Sequence, residues 1–386
     1  MYGRRTAVIG LPLLALLAAN PLQAAKLSET SVKSAVDQSV LPLMQEQGIK
    51  GMAVGVTVDG ERYLYSYGLA AAEGAVPVTA ETLFEIGSLS KTFTATLAAH
   101  AQESGHLALT DRVTQHLPDL RGSAFDNISL LQLGTYSAGG LPLQFPDGVN
   151  NEPEMYRFCR QWQPSYAVSS HRQYSNPSIG LLGYIAARSM GKPFDTLMQK
   201  QLFPALGLAH SYLQVPAAQM PDYAQGYMAN GQPVRVSKGM LDAEAYGVKT
   251  TAGDVLRFIQ LNMSAKALEQ PYQRAIATTQ QPYYKVAGMY QGLGWELYRY
   301  PTTQETLLQG NSSSMALEPH PVEPVAAGEQ SGSEWLVNKT GSTNGFGAYA
   351  VFIPSKQVGV VLLANKNYPN ALRVKAALQI IDELKP

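Results

Sequence analysis

The chain has 386 residues, 45% of them hydrophobic and 15% charged, which excludes a disordered or fibrous protein. Basic and acidic residues both number 29, so the formal net charge is zero, and no block of Lys and Arg is suited to a phosphate backbone. We therefore expect a globular protein of two lobes that does not bind nucleic acid.

The amino terminus has the pattern of a secretory signal. Two arginines precede an apolar run at 7–19, and small residues at Ala24 and Ala25 offer a cleavage site. The run is shorter than the roughly 20 apolar residues that span a bilayer. We predict that residues 1–24 are a signal peptide cleaved after Ala24 or Ala25. The mature protein is then expected in a Gram-negative periplasm, without stable membrane insertion.

The next segments predict a helix and a β-hairpin. Apolar residues recur at helical spacing over 31–47, and Gly48 follows as a stop. The β-rich runs 51–58 and 62–67 flank Asp59-Gly60-Glu61, and an Asp-Gly pair tolerates the positive φ that tight hairpin turns need. The two strands are therefore predicted to be antiparallel.

The middle of the chain is richer in helix. Helical spacing is found over 92–104, 178–190 and 194–202. Between these helices, 137–150 and 163–177 are rich in Gly, Pro and polar residues and are predicted to be loops.

The carboxyl-terminal part returns to strands. The segments 335–339, 348–353 and 358–364 have strand character, and 374–384 closes the chain with a helix. The polar stretch 310–333, which carries several Pro, Gly and Ser residues, is predicted to be a long surface loop.

Because both ends of the chain supply strands and flanking helices, we predict one antiparallel sheet built from the two termini. The fold class is then α/β in the α+β sense, with an inserted, mainly helical lobe. We assign 25–80 and 230–386 to the sheet domain and 81–229 to the helical domain. The active site is expected between the two lobes.

Ser88 and Lys91 form a candidate nucleophile and base. A serine hydroxyl is a weak nucleophile, and an uncharged lysine at i+3 on the same helix face can take its proton. Gly87 and the helical run after it place Ser88 in the first turn, where a free N–H points toward a developing oxyanion. The same spacing recurs at 189–192, but Gly191 ends a helix there, so we predict a helix terminus rather than a site.

Two further elements accompany this pair. Lys339-Thr340-Gly341 follows a predicted strand, where the lysine can hold an anionic group and the small residues leave room for a flat substrate. Taken alone, such a lysine is more often a solvated residue before a turn. Tyr174-Ser175-Asn176 lies on the loop before the helix near 178, and taken alone it fits a loop tyrosine followed by an N-cap asparagine.

Together and in this order, the three elements resemble the serine β-lactamases and penicillin-binding proteins, and most closely the class C β-lactamases. Tyr174-Ser175-Asn176 stands where class A enzymes carry Ser-Asp-Asn. The resemblance covers almost the whole mature chain and includes the further segments 84–87, 139–144, 241–247, 292–296 and 364–370. The departures are Leu89, where Val is commoner, and Ser169-Ser170, which replaces a frequent Pro-Gly.

The resemblance implies a role for each matching residue. The catalytic residues would be Ser88, Lys91, Tyr174 and Lys339. Lys91 and Tyr174 would share the acid–base work, with the choice between them left open. The backbone N–H groups of Ser88 and Ser342 would form the oxyanion hole. The residues that bind substrate would be Gln144, Asn176, Lys339, Thr340, Gly341, Ser342, Tyr246, Asn370 and Arg373.

For three of these residues, a purely structural role is an equally good interpretation. Tyr246 can equally be a packed core tyrosine, Asn370 a helix N-cap and Arg373 a solvated arginine. The lone Cys159 is predicted to be a buried apolar filler. We expect a monomer that uses no metal and no cofactor, because the six histidines are scattered and no zinc-binding motif occurs.

The predicted function is the hydrolysis of a small-molecule β-lactam, a cephalosporin or penicillin, by a class C serine β-lactamase. One alternative is a D-Ala-D-Ala peptidase or small-ester esterase of the same fold, which would use Ser88, Lys91 and Tyr174 in the same way. A second alternative is a periplasmic sensor that is acylated but does not turn over.

Overall fold

The computed structural model describes residue 3 and residues 27–326 and 334–384. Apart from residue 3, the predicted signal peptide at 1–24 lies outside these ranges. Within them, no helix is both long and apolar enough to cross a membrane.

The first helix and hairpin form for local reasons. Ser28 caps the first helix by accepting a hydrogen bond from the Ser31 N–H, and Gly48 ends the helix in the left-handed region at φ 59°. In the hairpin turn, Asp59 and Gly60 have φ of 50° and 84°. Two successive positive φ values give the turn a twist that matches the right-handed twist of its strands.

The helices predicted over 31–47, 92–104, 178–190 and 374–384 are present, with bounds that differ by a few residues. The run predicted over 194–202 is divided into a short helix and a π-helical turn at Met198–Leu202. The remaining helices were not predicted. The helices are α1 (Glu29–Gln47), α2 (Ser90–Glu103), α3 (Val113–His116), α4 (Leu130–Gly134), α5 (Glu152–Gln161), α6 (Asn176–Ser189), α7 (Phe194–Leu197), α8 (Phe203–Leu206), α9 (Asp242–Tyr246), α10 (Ala252–Met263), α11 (Gln270–Thr279), α12 (Gln304–Gly310), α13 (Ser313–Leu317) and α14 (Asn370–Leu384).

The long strands come from the two ends of the chain, and the strands between them are short. They are β1 (Gly51–Val58), β2 (Glu61–Ala71), β3 (Val76–Pro77), β4 (Phe84–Glu85), β5 (His171–Arg172), β6 (Ser211–Tyr212), β7 (Gly226–Tyr227), β8 (Pro233–Val234), β9 (Lys249–Thr250), β10 (Tyr284–Val286), β11 (Met289–Gln291), β12 (Glu296–Arg299), β13 (His320–Pro321), β14 (Glu323–Pro324), β15 (Trp335–Ser342), β16 (Gly347–Ile353) and β17 (Val358–Ala364).

Ten of these strands form one antiparallel sheet in the order β14-β10-β11-β12-β15-β16-β17-β1-β2-β3. Strand β1 from the amino-terminal part lies between β2 and the carboxyl-terminal β17, with Val56 opposite Val360. Helices α1 and α14 cover one face of the sheet, and α10 covers the other. The predicted fold class, a sheet built from both ends of the chain and flanked by helices, is confirmed.

The helical lobe is organised around α2, which is buried on nearly all sides and packs against α6, α9 and α11. A separate core cluster fills this lobe. Because α9 and α11 follow residue 230 in the chain, segments from both sides of that predicted boundary meet at α2. The domain boundaries stay a prediction.

The prediction of one long loop at 310–333 was wrong over much of its described part. Helix α13 forms there because Ser312 caps it by accepting from the Met315 N–H, and the Met315 side chain is buried. The prolines of β13 and β14 are tolerated because both strands are two residues long and lie at sheet edges. Residues 327–333 lie outside the described ranges.

Glu244 is an unusual member of the lobe's core. It lies on α9, is 8% exposed, and its backbone carbonyl accepts a hydrogen bond of 2.6 Å from the Thr94 hydroxyl of α2. A Cβ atom added to Gly183 of α6 would lie 2.9 Å from the Glu244 Cγ, so the side chain is packed between the two helices. Burial raises the pKa of Glu244 to about 8.

The pKa of Glu244 predicts a pH dependence of stability. Between pH 4.5, the ordinary value, and about 8, the unfolded chain loses this proton while the folded chain keeps it. Stability therefore falls as pH rises through that window, by an amount on the order of 4 kcal/mol. The Glu244→Gln protein lacks this dependence. In urea unfolding, the free energy of unfolding of the variant minus that of wild type should therefore be larger at pH 8 than at pH 5. Parallel behaviour of the two proteins would contradict the assignment.

Candidate active site

Ser88 lies in the 3-10 turn Gly87–Leu89, which runs directly into α2. The turn brings Lys91 back beneath the serine, and the Lys91 Nζ donates to the Ser88 Oγ at 2.9 Å. A second hydrogen bond of 2.8 Å from the same Nζ to the Ala245 carbonyl fixes the amine from the side of α9. The predicted Ser–Lys pair is therefore assembled.

Lys91 is fully buried. Burial lowers its pKa, because a charged ammonium loses hydration in the interior, and the charge of Lys339 acts in the same direction. Tyr174 and Glu296 oppose the shift without cancelling it. A lysine with a lowered pKa has a larger neutral fraction, and only the neutral amine can accept a proton.

Two glycines let the backbone of β15 approach the serine turn. A Cβ atom on Gly341 would lie 1.9 Å from the Ile86 carbonyl oxygen, and one on Gly87 would lie 2.5 Å from the Ser342 nitrogen. Any other residue at either position would therefore collide with backbone atoms. This close approach sets the backbone of Ser342 beside that of Ser88, as an oxyanion hole shared by the two would require.

At the start of α6, Ser175 and Asn176 have different roles. Ser175, not Asn176, is the N-cap, because its hydroxyl accepts from the Ser178 N–H at 3.1 Å. The Asn176 side chain is thereby free of capping, and its Oδ1 is buried without a hydrogen-bond partner among the described residues. Backbone bonding of Asn176 to Leu143 also fastens the loop that carries Gln144.

Cationic groups surround the Tyr174 ring. The Nζ atoms of Lys91 and Lys339 lie 5.1 and 5.2 Å from its centroid, and the Arg172 Cζ lies 5.6 Å away. Burial alone would raise the pKa of Tyr174, but the positive charges of Lys91 and Lys339 outweigh it. The net result is a pKa below the usual range of tyrosine.

Tyr136 shows how specific this effect is. Its ring lies 4.9 Å from that of Tyr174, and it is also buried, in a left-handed backbone conformation at φ 60°. Burial raises the pKa of Tyr136 well above its ordinary value, and the opposing charge of Arg172 does not compensate. Two adjacent tyrosines are thus driven in opposite directions, and only Tyr174 gains acidity.

Lys339 belongs to a buried ionic network. Its Nζ lies 3.3 Å from the Glu296 Oε1, and the Arg172 Nη2 lies 3.3 Å from the same oxygen. Arg172 is further held by the side-chain oxygen of Gln291 at 2.7 Å and by the Met315 carbonyl at 2.7 Å. One carboxylate thus bridges two cations and fixes the position of the Lys339 ammonium.

Two cavities meet at Ser88. The first, which we call the lysine cavity, has a volume of about 170 Å³ and is lined by Ser88, Tyr174, Glu296, Lys339, Thr340 and Asn370. The second, the amide cavity, has a volume of about 290 Å³ and is lined by Ser88, Gln144, Asn176, Val236, Tyr246 and Thr343. Ser342 lines both, so the serine lies where a ligand could extend to either side.

Most of the predicted site residues therefore lie in one groove. Gly341 also lines the lysine cavity. Asn370 begins α14, and its amide donates to the Asn311 carbonyl at 3.4 Å. Tyr246 is half-buried at the wall of the amide cavity, so it is not a core tyrosine.

Arg373 differs from both expectations for it. It is fully buried rather than solvated, and it does not line either cavity. Its Nη1 donates to the Gly341 carbonyl at 2.7 Å and to the Ser342 hydroxyl at 3.0 Å, so it contacts the site through the end of β15.

Two sequence features were predicted to lie outside the active site: the second Ser-x-x-Lys match and Cys159. Ser189 ends α6 and Gly191 follows at φ 68°, so the second Ser-x-x-Lys match is a helix terminus. Cys159 is buried, and burial raises its pKa to about 12, so its thiolate is disfavoured.

Sequence reasoning missed the roles of Glu296 and Arg172. Glu296 lay in a segment that contributed to the resemblance, but no spacing rule connects it to Lys339, 43 residues later. The signal available was a charged residue next to Gly294 and Trp295 in an otherwise apolar strand region. Arg172 stands two residues before Tyr174, where the sequence indicates only a polar loop.

The comparisons with known proteins agree on one family. The β-lactamase family model matches residues 36–385. A β-lactamase of Pseudomonas fluorescens is 53% identical over 355 residues, covering 92% of this chain and 99% of that protein. A β-lactamase of Yersinia enterocolitica is 43% identical over 363 residues, covering 93% of each.

Solved structures give the same result. The β-lactamase/D-alanine carboxypeptidase from Pseudomonas syringae superposes with a TM-score of 0.89 at 46% identity, covering 92% of this chain and 100% of that one. A class C β-lactamase in complex with cefoxitin gives 0.89 at 45% identity, covering 92% and 99%. The fold is that of the class C β-lactamases. The chain belongs to the β-lactamase family.

The ionic network predicts the outcome of Glu296→Gln. Removing the carboxylate leaves two buried cations without an anion, so the free energy of unfolding should fall by about 3–5 kcal/mol. The pKa of Lys91 should fall further, because the charge of Glu296 raises it in the wild type. The acidic limb of the profile of kcat/KM against pH should therefore move to lower pH.

A matched control separates this effect from the loss of any carboxylate. Glu103 pairs with Arg274 on the exposed side of the lobe, far from the groove. Glu103→Gln should leave the acidic limb in place and change stability by about 1 kcal/mol or less. A limb that stays fixed in Glu296→Gln, or moves to higher pH, would show that the network does not control the base.

Proposed function

We propose that this protein hydrolyses the β-lactam amide of cephalosporins and penicillins through an acyl-enzyme on Ser88. The observation that carries the proposal is the hydrogen bond of 2.9 Å between the Lys91 Nζ and the Ser88 Oγ, in a buried site where Tyr174 is also made more acidic. A serine with a proton acceptor in contact is an activated nucleophile. The relatives described above are β-lactamases, and one was solved with cefoxitin.

Acylation transfers the serine proton away as the new bond forms. The Ser88 Oγ bonds to the lactam carbonyl carbon, and its proton passes to the unit formed by Lys91 and Tyr174. The carbonyl oxygen, now negative, accepts hydrogen bonds from the backbone N–H groups of Ser88 and Ser342. The carbon–nitrogen bond then breaks, and the Lys91–Tyr174 unit returns the proton to the departing lactam nitrogen.

Deacylation repeats the sequence with water. The Lys91–Tyr174 unit takes a proton from a water molecule, whose oxygen bonds to the ester carbon, and the Ser88 Oγ leaves with the proton. Lys91 is the residue bonded to the Ser88 Oγ, whereas the Glu296 Oε1 is bound to Lys339 and Arg172. The acid–base work of both half-reactions is therefore assigned to the same pair.

The two cavities divide the substrate between them. Lys339 and Thr340 in the lysine cavity would hold the carboxylate of the β-lactam, with Asn370 beside them. Gln144 and Asn176 in the amide cavity would bind the amide of the acyl side chain, against the wall formed by Tyr246. Arg373 would act indirectly, by holding Gly341 and Ser342 in place.

We also propose a location and an assembly state. Residues 1–24 would direct the chain to the periplasm and then be removed, because they combine two arginines, a short apolar run and small residues at its end. The mature protein would act there as a monomer.

The reaction is tested with purified protein and a chromogenic cephalosporin. Wild type should turn over many times per site, and Ser88→Ala should lose about 10³-fold or more of kcat while keeping its circular dichroism spectrum. A single stoichiometric burst without turnover would favour the sensor. Turnover of an acyl-D-Ala-D-Ala peptide without turnover of the cephalosporin would favour the peptidase.

The role of Tyr174 is tested against its neighbour. Tyr174→Phe should lower kcat by about 10²–10⁴-fold, because it removes the hydroxyl whose pKa the surrounding cations lower. Tyr136→Phe removes an equally buried hydroxyl that also lacks a hydrogen-bond partner among the described residues, and it should retain activity within about 3-fold. Equal losses in the two variants would mean that the hydroxyl of Tyr174 matters only for packing.

A further inference from the structure

Glu85 is a buried acidic residue that the reaction described above does not use. It lies on β4, three residues before Ser88, and only 1% of it is exposed. In the small sheet at the base of the groove it stands opposite Lys249 of β9. The Lys249 Nζ, however, donates to the carbonyls of Leu213 and Gly247. No ion pair found in the described part of the chain includes Glu85.

Instead, three neutral groups donate to the Glu85 carboxylate. Its Oε1 accepts from the Tyr223 hydroxyl at 2.5 Å and from the Val236 N–H at 2.8 Å. Its Oε2 accepts from the Thr343 hydroxyl at 2.5 Å. The donors belong to three different segments of the chain, so one carboxylate connects all three to the strand that leads into Ser88.

Two of these segments form the groove. Val236 lines the amide cavity, and so does Thr343. Thr343 directly follows Ser342, whose backbone already lies against Gly87. The Tyr223 side chain, by contrast, does not line either cavity at Ser88. The carboxylate therefore touches the groove through Thr343 and Val236 but touches only the scaffold through Tyr223.

We propose that Glu85 is a positioning residue that sets the oxyanion hole and the width of the amide cavity. Through Thr343 it holds the Ser342 N–H in line with that of Ser88, and through Val236 it holds the opposite wall of the cavity. The proposal rests on the proposed function, since it assigns Ser342 to the oxyanion hole. An oxyanion donor must be fixed before the charge develops, and a buried carboxylate with three donors provides that rigidity.

The two hydroxyl donors give a matched test. Thr343→Val and Tyr223→Phe each remove one hydroxyl that donates to the Glu85 carboxylate, and the two hydrogen bonds have the same length. Both variants should therefore lower the melting temperature to a similar extent. Only Thr343→Val should lower kcat for the chromogenic cephalosporin, by about 10–100-fold with a smaller change in KM, because it releases the oxyanion donor. Thr343→Ser restores the hydroxyl and should recover kcat.

A double-mutant cycle distinguishes this role from direct contact between Thr343 and the substrate. If Thr343 acts through Glu85, then Glu85→Gln combined with Thr343→Val should be no slower than the slower single variant. Additive losses, or equal kcat in Thr343→Val and Tyr223→Phe, would overturn the proposal. Failure of Glu85→Gln to fold would leave the pair of hydroxyl variants to decide. Absence of hydrolysis by wild type would instead contradict the proposed function.

Discussion

The site depends on an excess of buried positive charge. Lys91, Lys339 and Arg172 surround the Tyr174 ring. The Glu296 carboxylate pairs with two of them, Lys339 and Arg172. Charges removed from water must be compensated or lost. The interior resolves this by two routes that both favour catalysis: Lys91 binds its proton less tightly, and the Tyr174 hydroxyl gives its proton up more readily. In the proposed mechanism, this electrostatic imbalance, which the surrounding fold maintains, activates the nucleophile.

This charge imbalance can act on Ser88 only if the helical lobe and the sheet hold their site residues in fixed relative positions. The serine turn precedes α2 of the helical lobe, while Lys339 and Ser342 belong to the sheet. Gly87 and Gly341 allow the backbones of the serine turn and of β15 to touch. Arg373 fixes the end of β15 by donating to the Gly341 carbonyl. The backbones of the serine turn and of β15 are therefore in direct contact, and the geometry of the groove follows from this contact.

Much of this architecture could be predicted from the sequence, because it is local. Strands β1 and β17 were predicted with their observed bounds, and the turn at Asp59-Gly60 has the backbone that its residues favour. The proximity of Ser88, Lys91 and Tyr174 could also be predicted, from spacing and resemblance. What could not be predicted is contact across the chain, such as Glu296 with Lys339, and the helix α13, whose cap and single buried Met315 are too brief a pattern to stand out from a polar loop.

The pairing of β1 with β17 has a consequence for how the protein is made. The Gly51 N–H donates to the Asn365 side chain, 314 residues later, and β1 has β17 as one of its two neighbours in the sheet. Until the last strand has been synthesised, β1 therefore presents an unpaired edge, and contacts of such long sequence separation form slowly. The nascent chain cannot close its main sheet step by step. It must complete the sheet at the end, so the hairpin of β1 and β2 remains exposed to chaperones or to other chains throughout synthesis.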